Sequence, residues 1–283
     1  MRDNKLIQFY LTNQCNSRCS TCTIWANKET EELHYDDVIS VIKDFPNADY
    51  VFGGGEFTMY SHIGRLLDFC DTMGTNYTIL SNAVNLGWLQ KVMIMYKVPN
   101  LTISCDGINH DHIRGIKGNL DNVKKVVKEY KGKTNLKLSY TYSKHNQETF
   151  KDDMEMFKEL GFDKVYLCLA QDVGLLNQND NKSFITSNFK QILEYSDMFY
   201  DKDIKFVESI IYDMPRICNS VKSVHTVYSN GDVIMCQSYM SKRILGNIYN
   251  KSFKDIIKEF EMERLPKCTY DNECNLLCQR RYD

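Results

Sequence analysis

LIQFYLTNQCNSRCSTC, residues 6–22, is the stretch that decides how this chain is read. Residues 6–12 have the composition of a buried strand, and Cys15, Cys19 and Cys22 follow on one short loop. Working outward, strand patterns recur at 50–53, 77–81, 101–105, 136–142 and 164–170. Helical spacing of apolar residues fills 34–45, 61–73, 86–96, 119–130 and 148–160, with a last helix near 186–200. Such alternation predicts parallel strands joined by right-handed crossovers. Six strand–helix units suit an α/β fold, either an open, partial (β/α)6 TIM-like barrel or a doubly wound sheet. A closed eight-unit barrel needs more chain. In either arrangement, chemistry sits at the carboxyl ends of the strands.

The pattern changes near residue 210. TVYSNGDVIMC places Asn230-Gly231 between two short apolar runs, which predicts a hairpin with a type I′ turn. Ser252 and Asp255 mark a helix start. The tail CTYDNECNLLC is too rich in cysteine for an ordinary loop. The expected division is a barrel over 1–209 and a small metal-stapled domain over 210–283, since so short a segment has little core of its own.

Composition narrows the class. The 283 residues are 43% hydrophobic and 25% charged, with 35 Lys plus Arg against 37 Asp plus Glu. That excludes a disordered or fibrous chain and gives no global attraction for nucleic acid or an anionic membrane. No apolar run has the length of a membrane span, and the N-terminus lacks a signal-peptide plan, so a cytoplasmic protein is expected. Eleven cysteines are then unsuited to disulfides. Three crowd into Cys15–Cys22 and five lie between Cys218 and Cys278, which reads as metal binding at both ends. Three thiolates on one loop can hold three irons of a cubane and leave the fourth iron open, whereas a structural zinc wants a fourth ligand close by. Spacing alone leaves both readings standing.

CNSRCSTC after the first strand resembles the C-x3-C-x2-C signature of the radical S-adenosylmethionine superfamily. The resemblance continues at successive strand ends. Gly54-Gly55-Glu56 stands where that family has GGE, although Phe57 replaces the proline that usually follows. Ser81-Asn82 stands in place of TNG. Ser104, Asp106 and the run His110–Gly115 are similar to the S-x-DG…HDxIRG stretch of the subgroup with a SPASM or twitch C-terminal domain, and Lys144-His145-Asn146 to its TKxN stretch. This resemblance implies a [4Fe–4S] cluster on Cys15, Cys19 and Cys22 whose open iron chelates S-adenosylmethionine, and reductive cleavage to a 5′-deoxyadenosyl radical that takes hydrogen from a substrate. It implies cofactor binding by Gly54, Gly55, Glu56, Ser81, Asn82, Ser104, Asp106 and Arg114, with Glu56 receiving the ammonium and Ser104 and Arg114 the carboxylate.

Cys218, Gly231 and Cys236 resemble the opening of a SPASM domain, and Cys268, Cys274 and Cys278 its closing run, with Leu265 where the run's leading cysteine would stand. Five cysteines cannot ligate two cubanes at four thiolates each. The resemblance therefore implies one auxiliary [4Fe–4S] cluster, twitch-like, on Cys218, Cys236, Cys278 and either Cys274 or Cys268. One zinc on four of the five is the alternative.

Substrate is a separate question. Most relatives with this C-terminal domain modify peptides or proteins by crosslinking, epimerisation or oxidation, so a peptide or protein is expected. The first strand begins near residue 6, which leaves no room for an N-terminal leader-recognition domain. A peptide would need a separate recognition protein or direct binding. An external flavodoxin- or ferredoxin-like donor would supply electrons. The alternative substrate is a small molecule such as a sugar, aminocyclitol or nucleoside, since twitch relatives include an aminocyclitol dehydrogenase. A non-catalytic electron carrier or zinc-stapled binding module explains the cysteines but not the glycines and polar residues at successive strand ends.

Several residues carry plainer readings. Cys70 sits at core spacing. Cys105 and Cys168 lie near strand ends, where one can donate hydrogen to a product radical, as in peptide epimerases of the family, or simply pack. Tyr140 and Tyr142 share a strand face and line either the barrel interior or the helix layer. The lysines of KKVVKEYKGK belong to a solvated helix face.

Overall fold

The computed structural model describes residues 5–170, 190–212, 224–234 and 244–262. Six parallel strands follow one another in the sheet: β1 (Leu6–Thr12), β2 (Asp49–Gly54), β3 (Tyr77–Ser81), β4 (Asn100–Ser104), β5 (Asn135–Tyr142) and β6 (Tyr166–Leu169). This sequential order decides between the two expected architectures. A doubly wound sheet returns to the first strand midway and puts helices on both faces. Here the chain winds in one direction through all six strands, so right-handed crossovers place the helices on one face. The result is the partial TIM-like barrel.

Side-chain alternation explains the layers. Along β1, Ile7, Phe9 and Leu11 enter the core with Tyr50 and Phe52 of β2, while Gln8, Tyr10 and Thr12 take the opposite face. The same parity gives Leu101 and Ile103 against Thr102 and Ser104 on β4. A closed barrel packs its interior with branched apolar side chains. Here Gln8, Thr12, Ser81 and Ser104 line the interior beside Leu80 and Leu169, and the space they leave suits a mouth that holds ligands. Tyr140 and Tyr142 belong to the helix layer: both rings meet Phe150 of α6 (Phe150–Glu159), and Tyr140 Oη donates to Asp153 Oδ2 at 2.8 Å. The helices α1 (Tyr35–Asp44), α2 (Ile63–Met73), α3 (Leu86–Met95), α4 (His110–Arg114), α5 (Asn119–Tyr130) and α6 alternate with the strands. Cys70 is fully buried on α2, and Val123, Val126 and Val127 of α5 face the core while Lys124, Lys125 and Lys128 face solvent.

Gly87 on α3 is exposed, and a Cβ there would meet nothing within 4 Å. Gly87→Ala is expected to raise unfolding stability by about 0.5 kcal/mol in a urea titration, because alanine loses less backbone entropy in a helix.

Beyond β6, α7 (Asp201–Ile211) precedes a second set of strands. β7 (Val224–Val227) pairs parallel with the free edge of β1, and β8 (Asp232–Ile234) and β9 (Ile244–Asn247) continue antiparallel, giving the order β6-β5-β4-β3-β2-β1-β7-β8-β9. The β7–β8 hairpin forms as expected, but its turn is not type I′. Gly231 alone has left-handed φ, +86°, and its N–H donates to Tyr228 O at 2.8 Å. That makes Ser229-Asn230 the centre of the turn and Gly231 a bulge residue. Asn230 is held instead by its side chain, which accepts from Asp232 N–H and donates to Asp232 Oδ2. α8 (Phe253–Met262) opens with Ser252 Oγ accepting from Asp255 N–H at 3.1 Å, as the sequence predicts. Among the described residues no helix is long and apolar enough to cross a membrane.

Two buried carboxylates stitch this frame. Asp153 accepts from Ile108 N–H at 2.7 Å and Asp203 of α7 from Leu167 N–H of β6 at 3.3 Å. Burial pushes each carboxyl up to about 6. The folded chain therefore keeps these protons to higher pH than the unfolded chain. Their contribution to stability is full below about pH 4 and is lost as pH rises through about 6. Melting temperatures measured across pH 4–7 are expected to show this loss, and Asp153→Asn with Asp203→Asn to remove most of it.

Candidate active site

The strands aim their carboxyl ends at one cavity of about 890 Å3. Its wall includes Cys15, Cys19 and Cys22, Gly54, Gly55 and Glu56, Ser81 and Asn82, and Ser104 and Arg114. Ten of the residues singled out in the sequence thus meet there. Three others do not line it. Asp106 lies behind Arg114, Cys105 is fully buried on the helix side of β4, and Cys168 sits deeper, its Sγ 3.4 Å from Ser139 Oγ. Burial pushes the Cys105 thiol up to about 12 and raises the Cys168 thiol as well. Cys218, Cys236, Cys268, Cys274 and Cys278 lie outside the described residues.

The cysteine loop is held from three sides. At the end of β2, Gly55 N–H donates to Thr12 O at 2.7 Å and Glu56 N–H to Gln14 O at 2.8 Å. At the end of β3, Asn82 Nδ2 donates to Asn16 Oδ1 at 2.8 Å and Ser17 Oγ at 2.9 Å, and lies 3.9 Å from Cys15 Sγ. From α4, Arg114 O and Ile113 O accept from Arg18 N–H and Ser20 N–H at 3.0 and 2.9 Å. The glycines permit the first contact. Gly54 has φ +135°, and a Cβ on Gly54 or Gly55 would stand 2.4 Å from Thr12 O or 2.1 Å from Gln14 O. The backbone they approach most closely is the cysteine loop itself. Phe57, in the usual proline position, is fully buried in the core.

The electrostatics of the wall suit a metal cluster and a zwitterionic ligand. Burial pushes the Cys15 thiol up to about 11, with Glu56, Cys19 and Cys22 adding to it. Burial raises Cys19 too, opposed by Arg114, whose Nη1 lies 3.8 Å from its Sγ. Binding iron would take these protons off. Thiolates on one zinc stand about 3.8 Å apart, given a Zn–S distance of about 2.3 Å. Among the described residues no three Cys, His, Asp or Glu side chains converge to hold a single ion. The three thiols share the wall of one cavity.

Glu56 is 3% exposed. Its Oε1 accepts from Ser81 Oγ at 2.7 Å, Thr58 Oγ1 at 2.9 Å and Thr58 N–H at 3.2 Å, and its Oε2 from Asn82 N–H at 2.8 Å. Burial raises its pKa against these hydrogen bonds. It has no cationic partner among the described residues, so an arriving ammonium would offset its desolvation. Arg114 is partly buried, its side chain 13% exposed, with its Nε on the fully buried Asp106 Oδ2. Burial acts to lower its pKa, but Asp106 and Cys19 outweigh that and hold it above the ordinary value. Asp106 is itself fixed by Thr141 N–H, 3.1 Å from its Oδ1. A guanidinium held at Nε keeps further donors for a carboxylate.

Sequence reasoning missed how Asn82, Asn16 and Ser17 bind one another, and that Asp106 positions Arg114. It also missed Trp25, whose Nε1 donates to Cys19 O at 3.1 Å, and His110, whose Nδ1 accepts from Asp106 N–H at 3.0 Å. Burial lowers His110 to about 4, so it serves as a neutral acceptor.

Fold and site together define a partial-barrel protein whose mouth gathers three thiols, a buried carboxylate and a guanidinium. Comparison with known proteins agrees. The radical SAM superfamily pattern matches residues 9–183, more than half of the chain, and the SPASM iron–sulfur cluster-binding domain matches residues 218–280. The chain belongs to the radical SAM superfamily and carries a SPASM domain, which together imply a [4Fe–4S] cluster with S-adenosylmethionine and an auxiliary iron–sulfur cluster. Among solved structures it is similar to Streptococcus suis SuiB bound to S-adenosylmethionine, with TM-score 0.67, 16% identity, 89% of this chain and 64% of that chain covered. It is also similar to native anSMEcpe with bound AdoMet and Kp18Cys peptide (0.62, 17%, 90% and 82%) and to BtrN in complex with AdoMet and 2-DOIA (0.50, 15%, 91% and 84%). The chain spans just under two thirds of the length of SuiB. No curated protein matches it in sequence.

Proposed function

We propose that this chain is a radical S-adenosylmethionine enzyme that takes hydrogen from a peptide or protein substrate. The observation that carries the reading is the shared wall: three cysteine thiols beside a guanidinium held by Asp106 and a buried Glu56 that has no cationic partner among the described residues. Cys15, Cys19 and Cys22 would hold the [4Fe–4S] cluster. Glu56 receives the ammonium of S-adenosylmethionine, with Ser81 and Asn82 N–H orienting its oxygens. Arg114 and Ser104 receive the carboxylate. Asn82 acts through the cysteine loop rather than on the cofactor, because its amide is already occupied by Asn16 and Ser17. Asp106 acts through Arg114. The chemistry the bound group supplies is one-electron cleavage of S-adenosylmethionine to a carbon radical that abstracts hydrogen. An external flavodoxin- or ferredoxin-like protein delivers the electron, in a cytoplasmic setting. A barrel over 1–209 and a twitch-like module over 210–283 divide the work, with an auxiliary cluster on Cys218, Cys236, Cys278 and one of Cys274 or Cys268. A separate protein would recognise the peptide, or the cavity would bind it directly.

Two of the similar structures support a peptide substrate, since SuiB is solved with precursor peptide SuiA and anSMEcpe with the Kp18Cys peptide. BtrN with 2-DOIA supports the second reading, a small molecule. Neither Cys105 nor Cys168 lines the cavity, which favours packing over hydrogen donation for both. The test is anaerobic reconstitution followed by dithionite and S-adenosylmethionine. About eight irons per chain and formation of 5′-deoxyadenosine are expected. Zinc in place of iron, with no cleavage, would overturn the enzyme reading.

A further inference from the structure

A closed circuit of contacts starts and ends at the cysteine loop. One arm leaves from β3: Asn82 holds Asn16 and Ser17, and its backbone O accepts from Asn119 Nδ2 at 3.0 Å. The other arm leaves from α4. Arg114 O accepts from Arg18 N–H, Arg114 Nη1 lies 3.8 Å from Cys19 Sγ, Arg114 Nε sits on Asp106, and Asp106 N–H donates to His110 Nδ1. The arms meet where His110 Nε2 lies 2.9 Å from Asn119 Nδ2. Asp106, His110 and Asn119 are all fully buried. This meeting of two side chains is the joint between the thiol loop's support and that of the guanidinium.

The joint needs these two residue types. Burial disfavours the imidazolium, and a neutral ring has one lone pair and one N–H to share between its nitrogens. Asp106 N–H is a backbone donor that cannot turn, so it takes the lone pair at Nδ1 and leaves the proton on Nε2, facing the Asn119 amide. An amide answers a donor with its oxygen, and Asn119 Oδ1 is buried without a partner among the described residues. Turned over, the amide gives Oδ1 to His110; with nitrogen inward it gives Nδ2 to Asn82 O. The fold does not depend on this joint. Asp111 already ties α4 to α5, its Oδ1 accepting from Leu120 N–H at 2.8 Å. Burying a ring N–H and an amide costs free energy that an apolar pair would avoid.

We infer that His110 and Asn119 are a pair of positioning residues for cofactor cleavage, whose contact sets the separation of the thiol loop from the Arg114 guanidinium. This rests on reading the cavity wall as the S-adenosylmethionine site. A cofactor held at once by a cluster on the loop and by Arg114 is aligned only while those two points keep their separation, and a small misplacement at a reacting centre costs steeply in rate. Neither residue touches the cofactor; both act through Asn82 and Asp106.

The test is a double-mutant cycle on the anaerobically reconstituted full chain. It is read as the first-turnover rate of 5′-deoxyadenosine formation per reduced cluster at saturating S-adenosylmethionine. His110→Asn keeps an acceptor for Asp106 N–H but falls short of Asn119, and Asn119→Ser falls short of the ring. Each is expected to slow cleavage about tenfold with iron content and circular dichroism unchanged. The double variant is expected to be no slower than either, because all three lose the same joint. Asp203→Asn, a buried polar change outside the circuit, is expected to keep the parental rate. NMR of the [15N]histidine-labelled protein supplies a readout independent of activity. The ring signals that His110→Asn removes are expected to be those of a neutral Nε2–H tautomer, and Asn119→Ser is expected to shift that N–H. A parent ring protonated on Nδ1, an Nε2–H unmoved by Asn119→Ser, parental rates in the single variants, or losses that multiply to about a hundredfold would overturn the inference. Loss of iron or melting temperature with an unchanged rate per cluster would also overturn it, leaving the pair a packing feature. These outcomes sink the inference alone, whereas no 5′-deoxyadenosine from the parent would sink the cofactor reading and the inference with it.

Discussion

Replacing Cys15, Cys19 and Cys22 together with alanine is expected to abolish 5′-deoxyadenosine formation and to lower bound iron from about eight to about four per chain. The remaining irons would belong to the C-terminal cysteines, which this change leaves intact. The loss should not come from unfolding. The cysteine loop is tied down by backbone groups, with Gly55 N–H, Glu56 N–H, Arg18 N–H and Ser20 N–H all bonded across to or from it, and none of these bonds uses a thiol. Far-ultraviolet circular dichroism of the triple variant should therefore match the parent. Full cofactor cleavage by that variant would place the chemistry elsewhere in the chain.

Gly55→Ala is expected to have the second-largest effect, by a different route. The added Cβ would lie 2.1 Å from Gln14 O and 2.5 Å from Gln14 C, which are backbone atoms with no rotamer to change. Relief requires β2's end and the cysteine loop to separate, which breaks the Gly55–Thr12 and Glu56–Gln14 hydrogen bonds. A loss of about 3 kcal/mol in unfolding stability is expected, at the upper end of what a single overpacking change causes. Iron uptake at the barrel site should fall with it, because the thiols would no longer be held beside Glu56. Thermal melts and iron analysis of Gly55→Ala, with Gly87→Ala as the unhindered comparison, measure both. A Gly55→Ala protein with parental stability and iron would mean that the close approach has no structural consequence.

The elements most legible in the sequence were those written in local periodicity. Ile7, Phe9 and Leu11 alternate with Gln8, Tyr10 and Thr12, so both the strand and its two faces follow from neighbours two residues apart. Helix positions followed from apolar spacing for the same reason, as with Val123, Val126 and Val127. The cavity wall was legible because its residues cluster at strand ends, where an α/β chain places chemistry. The turn type was not. Asn230-Gly231 is compatible with more than one hairpin geometry, and Asp232 decided which by bonding Asn230's side chain.

By itself, then, the sequence determined the strand–helix alternation, the thiol loop after β1 and the set of polar residues that meet in the mouth. Only the tertiary structure decided that six strands wind one way into a partial barrel, that β7 closes against β1, and that Tyr140 and Tyr142 face the helices. It alone placed Asp106 behind Arg114 and bound Asn82 to Asn16 and Ser17, residues far apart in the chain. The physical reason is range. Periodicity and turn chemistry act between near neighbours, whereas hydrogen bonds across strand ends exist only once the sheet has fixed which ends are adjacent.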